Sequence, residues 1–300
     1  MKVFKILLKI IFISILIPIS LESKIKVVTT LTVLKYISEQ IGNDKVTVES
    51  LLPGDIDPHF ADARPDYVLK LNQADILVYI GLDLEIGWLP RLVEQSRNPK
   101  IYLGNPGNCN ASKGVYILEK PTTQVDRSLG DIHIYGNPHY WLDPLNVVII
   151  ARNIKDSLQS IDPDNKDYYE NQFKNFSNRI KNFTIQKIKD YQNLKDKKVI
   201  VHHREFIYLL NRFGIKEVGS LEEKFGVPPS ASYLKKVVEL IQKEKVNLIL
   251  LAPYNNIQYA QFVSEKTNAK AIVLPTNLSN QINTYEKLIE TILETINKNI

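Results

Sequence analysis

Histidine is the residue type whose placement in this sequence points most directly to chemistry. The chain has five, in the stretches GDIDPHF, DIHIYGNPHYW and VIVHHREF, and they are His59, His133, His139, His202 and His203. Neutral imidazole is the commonest metal ligand, and three histidines with one carboxylate suit a four-coordinate Zn²⁺ site or a related divalent ion. The pattern predicts a divalent metal site, although each histidine taken alone also fits a turn or a capped surface position.

Neither cysteine nor a familiar catalytic motif points to a second kind of site. Cys109 is the single cysteine, which excludes an internal disulfide and a multi-cysteine metal site; its position in GNCNAS favours an inert loop thiol. The sequence lacks HExxH, GxSxG, a Walker loop and a GxGxxG after a strand. A secreted zinc hydrolase stays open as an alternative, with Glu205 or Asp57 as the general base, but no motif supports it.

Strand-like and helix-like segments alternate along the chain, which predicts an α/β fold with mainly parallel sheets flanked by helices. The predicted strands are 25–30, 46–52, 75–81, 100–104, 197–203, 215–220, 246–252 and 270–275. The predicted helices are 31–42, 64–74, 84–95, 143–161, 204–214, 230–245, 256–267 and 283–298. Ligands of such sheets bind outside the carboxyl ends of strands, which is where GDIDPHF and VIVHH fall.

Residues 164–194 break this alternation and predict one long helix. Apolar residues recur there at spacings of three and four, without an internal Gly or Pro: Phe173, Phe176, Ile180, Phe183, Ile188, Tyr191 and Leu194. A helix of about 30 residues is roughly 45 Å long. It would join an N-terminal lobe, residues 24–163, to a C-terminal lobe, residues 195–300.

The N-terminus, MKVFKILLKIIFISILIPISLES, predicts a secretory signal peptide over residues 1–23, because a basic start precedes an apolar run and small or polar residues. We therefore expect an extracytoplasmic protein. The alternative, a membrane anchor, fits poorly because Lys9 interrupts a short apolar run. Cleavage would remove three lysines and one glutamate and lower the formal net charge from +5 to +3. That mild charge, without a dense basic block, argues against nucleic acid as a partner.

Five stretches together carry a family resemblance. They are VVTTLTVLKYISEQIGNDKVTVESLLPGDIDPHF, ADILVYIGLDLEIGWL, GNPHYWLDP, VIVHHREFIYLLNRFG and GVPPSASYLKKVVELI. The chain resembles the periplasmic metal-binding (ZnuA/TroA-like, cluster 9) solute-binding proteins of zinc and manganese ABC transporters. The resemblance covers nearly all of residues 25–300. It implies two α/β lobes joined by one long helix, with the metal between them.

The resemblance also implies which histidines bind the metal. His59 matches the histidine of the family's DPH motif, and His139 matches that of NPHxWLDP. Of the adjacent pair, His203 fits the HxxFxY pattern better than His202. His133 lies in a stretch that is His-rich in zinc-specific members and His-poor here, so we expect it to contribute little.

The fourth ligand departs from the family pattern. Many members place an aspartate in the last strand-to-helix loop, where this chain has Thr276 and Asn277. The stretch SLEEKFGVPPS resembles a region of one subgroup that begins with a glutamate, which makes Glu222 the predicted carboxylate ligand, with Glu223 next. The alternatives are a water ligand, or two ordinary solvated glutamates.

These resemblances imply a non-enzymatic receptor that binds a divalent metal and delivers it to the membrane permease of an ABC transporter. We expect a monomer. Three histidines with one carboxylate favour Zn²⁺ as the transported ligand over Mn²⁺, since a harder ion suits more carboxylates. A manganese-specific receptor of the same family is the first alternative, and an adhesin of this fold is another.

Overall fold

The computed structural model describes residues 23–121, 133–224 and 226–300, and it contains two parallel four-stranded sheets. The predicted signal peptide falls almost wholly on residues outside these ranges. In the first sheet the strand order is β2-β1-β3-β4. These strands are β1 Ile25–Thr29, β2 Val46–Ser50, β3 Ile76–Tyr79 and β4 Asn108–Asn110. The predicted strand at 100–104 is wrong, because Pro99–Ile101 forms a 3₁₀ turn and the chain pairs with β3 only at β4.

Four helices pack around the first sheet: α1 Thr32–Gly42, α2 Pro65–Gln73, α3 Leu89–Ser96 and α4 Pro144–Ile161. In α1 the side chains of Val33, Ile37 and Ile41 lie on one face and are fully buried, as helical spacing requires. The helix α3 begins five residues later than predicted. Residues 82–88 form successive turns, the first of them with positive φ angles of 52° at Leu82 and 66° at Asp83, so the helix starts only at Leu89.

The second sheet has the order β6-β5-β7-β8. Its strands are β5 Lys198–Val201, β6 Lys216–Ser220, β7 Leu248–Leu251 and β8 Lys270–Val273. The helices of this half are α6 Ile207–Arg212, α7 Ala231–Glu244, α8 Ile257–Thr267 and α9 Tyr285–Asn299. Ile200, Ile249 and Leu251 belong to an apolar cluster with α7 and α8, whereas Val201 and Leu250 join the core that contains α9. The predicted fold class of two parallel-sheet lobes is confirmed.

The helix between the lobes is α5, Lys166–Asp190. Its 25 residues give a length of about 37 Å, shorter than predicted because the ends of the segment are separate 3₁₀ turns. Phe176 and Ile180 are buried, but Ile188 is 41% exposed and does not extend the apolar face. The helix packs on α1 and α4 of the first lobe and on α9 of the second. It therefore contacts both lobes along its length.

A short loop of the second lobe, Thr276–Leu278, forms a separate connection to the first lobe. The Asn277 Oδ1 accepts hydrogen bonds from the Val33 amide and the Thr32 hydroxyl, both at 2.8 Å. The residue that precedes α1, Leu31, has no side-chain oxygen to cap the helix, so Asn277 supplies the cap from the other lobe. The Thr32 hydroxyl also lies 2.8 Å from the Leu278 carbonyl oxygen.

Among the described residues, the structure has no helix that is both long enough and apolar enough to cross a membrane.

We predict that Asn277→Ala lowers the free energy of unfolding by about 1–3 kcal/mol, since it leaves the buried Val33 amide without an acceptor. Asn277→Asp keeps the acceptor and should match the wild type within about 0.5 kcal/mol. Urea unfolding of the three proteins measures the difference. Equal stability of the Ala and Asp variants would contradict this role for Asn277.

Candidate metal centre

Three loops at the junction of the lobes bring His59, His139 and His203 together. His59 lies in the loop that follows β2, and His203 lies two residues after β5. His139 immediately precedes the 3₁₀ turn Tyr140–Leu142, which leads into α4. Two histidines therefore come from the first lobe and one from the second.

The three imidazoles are close enough to share one ion. The ring centroids are 5.1 Å apart for His59 and His139, and 5.4 Å apart for His203 with either of the others. One ligand nitrogen from each ring lies within 4.8 Å of the other two. His139 is fully buried and His59 is 8% exposed. This donor set fits a tetrahedral divalent ion with one further position to fill.

The same ring nitrogen, Nδ1, is hydrogen-bonded in all three histidines. Nδ1 of His59 lies 2.7 Å from the Asp57 Oδ1, that of His139 lies 3.0 Å from the Asn137 Oδ1, and that of His203 lies 2.8 Å from the Glu222 Oε2. The carboxylate oxygens of Asp57 and Glu222 and the amide oxygen of Asn137 can only accept, so Nδ1 carries the proton in each ring. In His59 and His139 the Nε2 atom is buried and has no hydrogen-bond partner among the described residues. Such outer hydrogen bonds orient metal-binding histidines.

Two of these acceptors belong to turns of the same kind. Asp57 and Asn137 each stand two residues before their histidine, in Asp-Pro-His and Asn-Pro-His. The side-chain oxygen accepts from the histidine backbone amide as well as from its ring, at 2.9 Å for His59 and 3.0 Å for His139. This is an Asx turn, and it fixes the backbone and the ring of the histidine together.

The loop of His139 is also bonded to the second lobe. The Asn137 side-chain amide donates to the Arg204 carbonyl oxygen at 3.0 Å, and the Trp141 indole donates to the Thr276 carbonyl oxygen at 2.8 Å. Asp143 caps α4 and also accepts two hydrogen bonds from the Arg212 guanidinium. The stretch GNPHYWLDP therefore connects the two lobes as well as positioning the His139 imidazole.

The pKa values of the buried histidines are shifted in opposite directions. Burial, with the neighbouring histidines, holds the pKa of His139 well below its ordinary value and lowers the pKa of His133 to about 3. At His203 burial opposes the charge, but the carboxylates of Glu205, Glu222 and Asp57 outweigh it and raise the pKa to about 9. In the metal-free protein near neutral pH, His203 therefore carries a proton and His139 does not.

The other candidate ligands lie outside the converging set, by which we mean His59, His139 and His203. The Glu222 Oε2 accepts a hydrogen bond from the His203 Nδ1 at 2.8 Å and orients that ring, and it also accepts from the Gly226 amide at 3.0 Å. His202 is buried with neither ring nitrogen hydrogen-bonded among the described residues, and its ring lies beside Tyr259. Glu223 is exposed. Thr276 and Asn277 are engaged in the contact between the lobes.

His133 lies closer to the site than the sequence suggested. Its ring centroid is 5.2 Å from that of His59, and its Nε2 is buried without a partner among the described residues. Spacing gave no signal for this approach, because it depends on how the loop before His139 returns to the site.

Cys109 is a buried residue of β4 rather than a loop residue. Burial raises the pKa of its thiol to about 12, so it is unreactive, as expected.

The fold and the histidine cluster define a two-lobed binding protein whose site lies between two α/β lobes. Residues 27–299 match the family model described as "Zinc-uptake complex component A periplasmic", and the chain belongs to this family. The predicted resemblance is thus confirmed. The family consists of receptors of transport systems and not of enzymes, so the hydrolase alternative is not supported.

Curated relatives carry the names of both metals. The manganese ABC transporter substrate-binding lipoprotein PsaA of Streptococcus anginosus is 28% identical over 255 residues, which is 82% of this chain and 77% of that protein. The high-affinity zinc uptake system protein ZnuA of Bacillus subtilis is 27% identical over 256 residues, which is 84% and 78% of the two chains.

Solved structures of this fold agree with the architecture. A crystal structure of ZnuA superposes with a TM-score of 0.77 at 22% identity, covering 92% of this chain and 99% of that one. The manganese-bound S38A mutant of a periplasmic metal-binding protein from Candidatus Liberibacter asiaticus gives a TM-score of 0.76 at 23% identity, covering 92% and 100%.

We predict that metal affinity rises with pH up to about 9, the pKa of His203. A metal ion must displace the proton on His203, so below that pKa the affinity should weaken about tenfold for each unit of pH. Zinc competition with a chelator at a series of pH values, corrected for protonation of the chelator, measures this. A dissociation constant that does not change between about pH 7 and 8.5 would contradict it.

Proposed function

We propose that this protein is an extracytoplasmic receptor that binds a divalent metal ion between its lobes and delivers it to the permease of an ABC importer. The observation that carries the proposal is the convergence of His59, His139 and His203 from both lobes, each with its Nδ1 already hydrogen-bonded. Family membership supports the same role. A signal peptide over residues 1–23 would direct the chain to the periplasm or cell exterior.

Zinc is the proposed cargo, and manganese is the alternative. Three imidazole nitrogens in a compact, buried set match the nitrogen-rich tetrahedral sites that zinc prefers, whereas manganese favours more oxygen ligands. Relatives named for zinc and for manganese are about equally similar to this chain, so they give no preference. The choice of zinc therefore comes from the donor set.

In the proposed site His59, His139 and His203 are metal ligands, and Glu222 orients the His203 ring through a hydrogen bond from Nδ1. We place the lobes at residues 24–163 and 195–300, on either side of the connecting segment 164–194. Because ligands come from both lobes, bound metal would hold the lobes together, and a permease that separated them would release the ion. We propose that the receptor acts as a monomer and binds no nucleic acid.

We expect protein purified without chelator to contain about one zinc ion per chain and His139→Ala to contain almost none, since two imidazoles do not make a tight zinc site. His202→Ala removes a buried histidine that lies outside the converging set and should keep the wild-type content. Elemental analysis after gel filtration measures all three proteins.

Equal zinc content in the wild type and His139→Ala would contradict the proposed site. Loss of zinc in His202→Ala would show that His202, and not His203, binds the metal. Circular dichroism of each variant separates loss of metal from loss of fold.

A further inference from the structure

Glu205 is a fully buried carboxylate with one oxygen left unused. Its Oε1 accepts a hydrogen bond from the Asn255 side-chain amide at 3.0 Å, and its Oε2 has no hydrogen-bond partner among the described residues. Burying a carboxylate oxygen without a partner costs free energy, and native proteins rarely accept this cost without a reason. No part of the fold described above uses this oxygen.

The position of Glu205 connects it to the metal centre. It stands two residues after His203, in the 3₁₀ turn Arg204–Phe206. It lines a cavity of about 220 Å³ together with His59, His203 and Tyr254.

Asn255 holds this carboxylate in place. The Asn255 Oδ1 accepts from the Ala252 amide at 2.6 Å, directly after β7, while its amide group donates to Glu205. A sheet end of the second lobe thus fixes one oxygen of Glu205, while the other has no hydrogen-bond partner among the described residues. The arrangement is a built site rather than a chance burial of charge.

Glu205 is nevertheless not among the groups whose ligand atoms converge within 4.8 Å, which are the three histidines alone among the described residues. The other nearby carboxylates are already bonded, Asp57 to His59, and Glu222 to His203 and to the Gly226 amide. The cavity of about 220 Å³ has room for a water molecule, which would have the ion and the Glu205 Oε2 as polar partners. The Tyr254 hydroxyl, which has no hydrogen bond of ordinary geometry among the described residues, lines the same cavity.

We propose that Glu205 is the anionic partner of the bound metal, and that its Oε2 holds the water which fills the fourth coordination position beside His59, His139 and His203. This inference rests on the proposed function. The carboxylate offsets one of the two positive charges of an ion bound by three neutral imidazoles. The water keeps the fourth position exchangeable, which suits a site that must release its ion.

The test compares zinc affinity in Glu205→Gln, Glu205→Asp and a control, Glu217→Gln. Glu217 is also a buried carboxylate with an unpartnered Oε2, but it accepts from the Arg204 guanidinium at 2.6 Å and does not line the cavity. We expect Glu205→Gln to weaken zinc binding about 10–100-fold, as loss of an outer-shell partner typically does. Glu205→Asp keeps the charge and should bind more tightly than the Gln variant, and Glu217→Gln should match the wild type.

A crystal structure of the zinc-loaded wild type is the second measurement, and we expect a water between the ion and the Glu205 Oε2. Wild-type affinity in Glu205→Gln, or equal weakening in the Gln and Asp variants, would overturn the inference, as would a direct bond from zinc to a carboxylate. In each of these cases the wild type still binds zinc, so the proposed function stands. A wild type that takes up no zinc overturns the proposed function and this inference with it.

Discussion

The proposed metal site depends on one repeated interaction, the hydrogen bond from Nδ1 of each histidine to a fixed oxygen. Asp57, Asn137 and Glu222 provide these oxygens. The bond selects the Nδ1-protonated tautomer and stops rotation of the ring, so the other nitrogen is presented in a set direction. For the two histidines of the first lobe the same oxygen also binds the backbone amide, so that the shape of the loop and the direction of the ring are set together.

The same loop that carries His139 joins the lobes. The side-chain oxygen of Asn137 accepts from the His139 ring, and its amide nitrogen donates to the Arg204 carbonyl oxygen. The Trp141 ring, whose centroid is 5.3 Å from that of His139, donates to the Thr276 carbonyl oxygen. Parting the lobes along this contact must break hydrogen bonds made by the residues that fix His139. In the proposed receptor this links the geometry of the site to the approach of the lobes, without a requirement for bending in α5.

Much of the fold could be predicted from periodicity. Seven of the eight predicted strands are present in the structure, because strands and their alternation with helices follow local apolar patterns. The strand at 100–104 could not be excluded in this way, since Ile101 is fully buried and a buried apolar residue does not reveal whether its backbone pairs. For the site, residue type and family resemblance led to His59, His139 and His203. The shared spacing of Asp57 and Asn137 before their histidines was visible in the sequence and gives their role.

Other features of the site depend on tertiary structure. Glu222 is a short distance from His203 because β5 and β6 are neighbours, so the sequence could suggest its importance but not that it meets Nδ1 of His203. Asn277 lies in the last strand-to-helix loop, where the resemblance led us to look for a ligand, yet it caps a helix of the other lobe. The buried, unused oxygen of Glu205 becomes visible only when the cavity around it is known, because the sequence alone shows just a charged residue near two histidines.

The most direct test of the central claim is which nitrogen of each histidine binds the metal. Nuclear magnetic resonance of ¹⁵N-labelled protein loaded with ¹¹³Cd identifies these nitrogens through their couplings to the metal. We expect coupling to Nε2 of His59, His139 and His203, with Nδ1 protonated in each. Coupling to Nδ1 of any of these rings, or to His202 in place of His203, would contradict it.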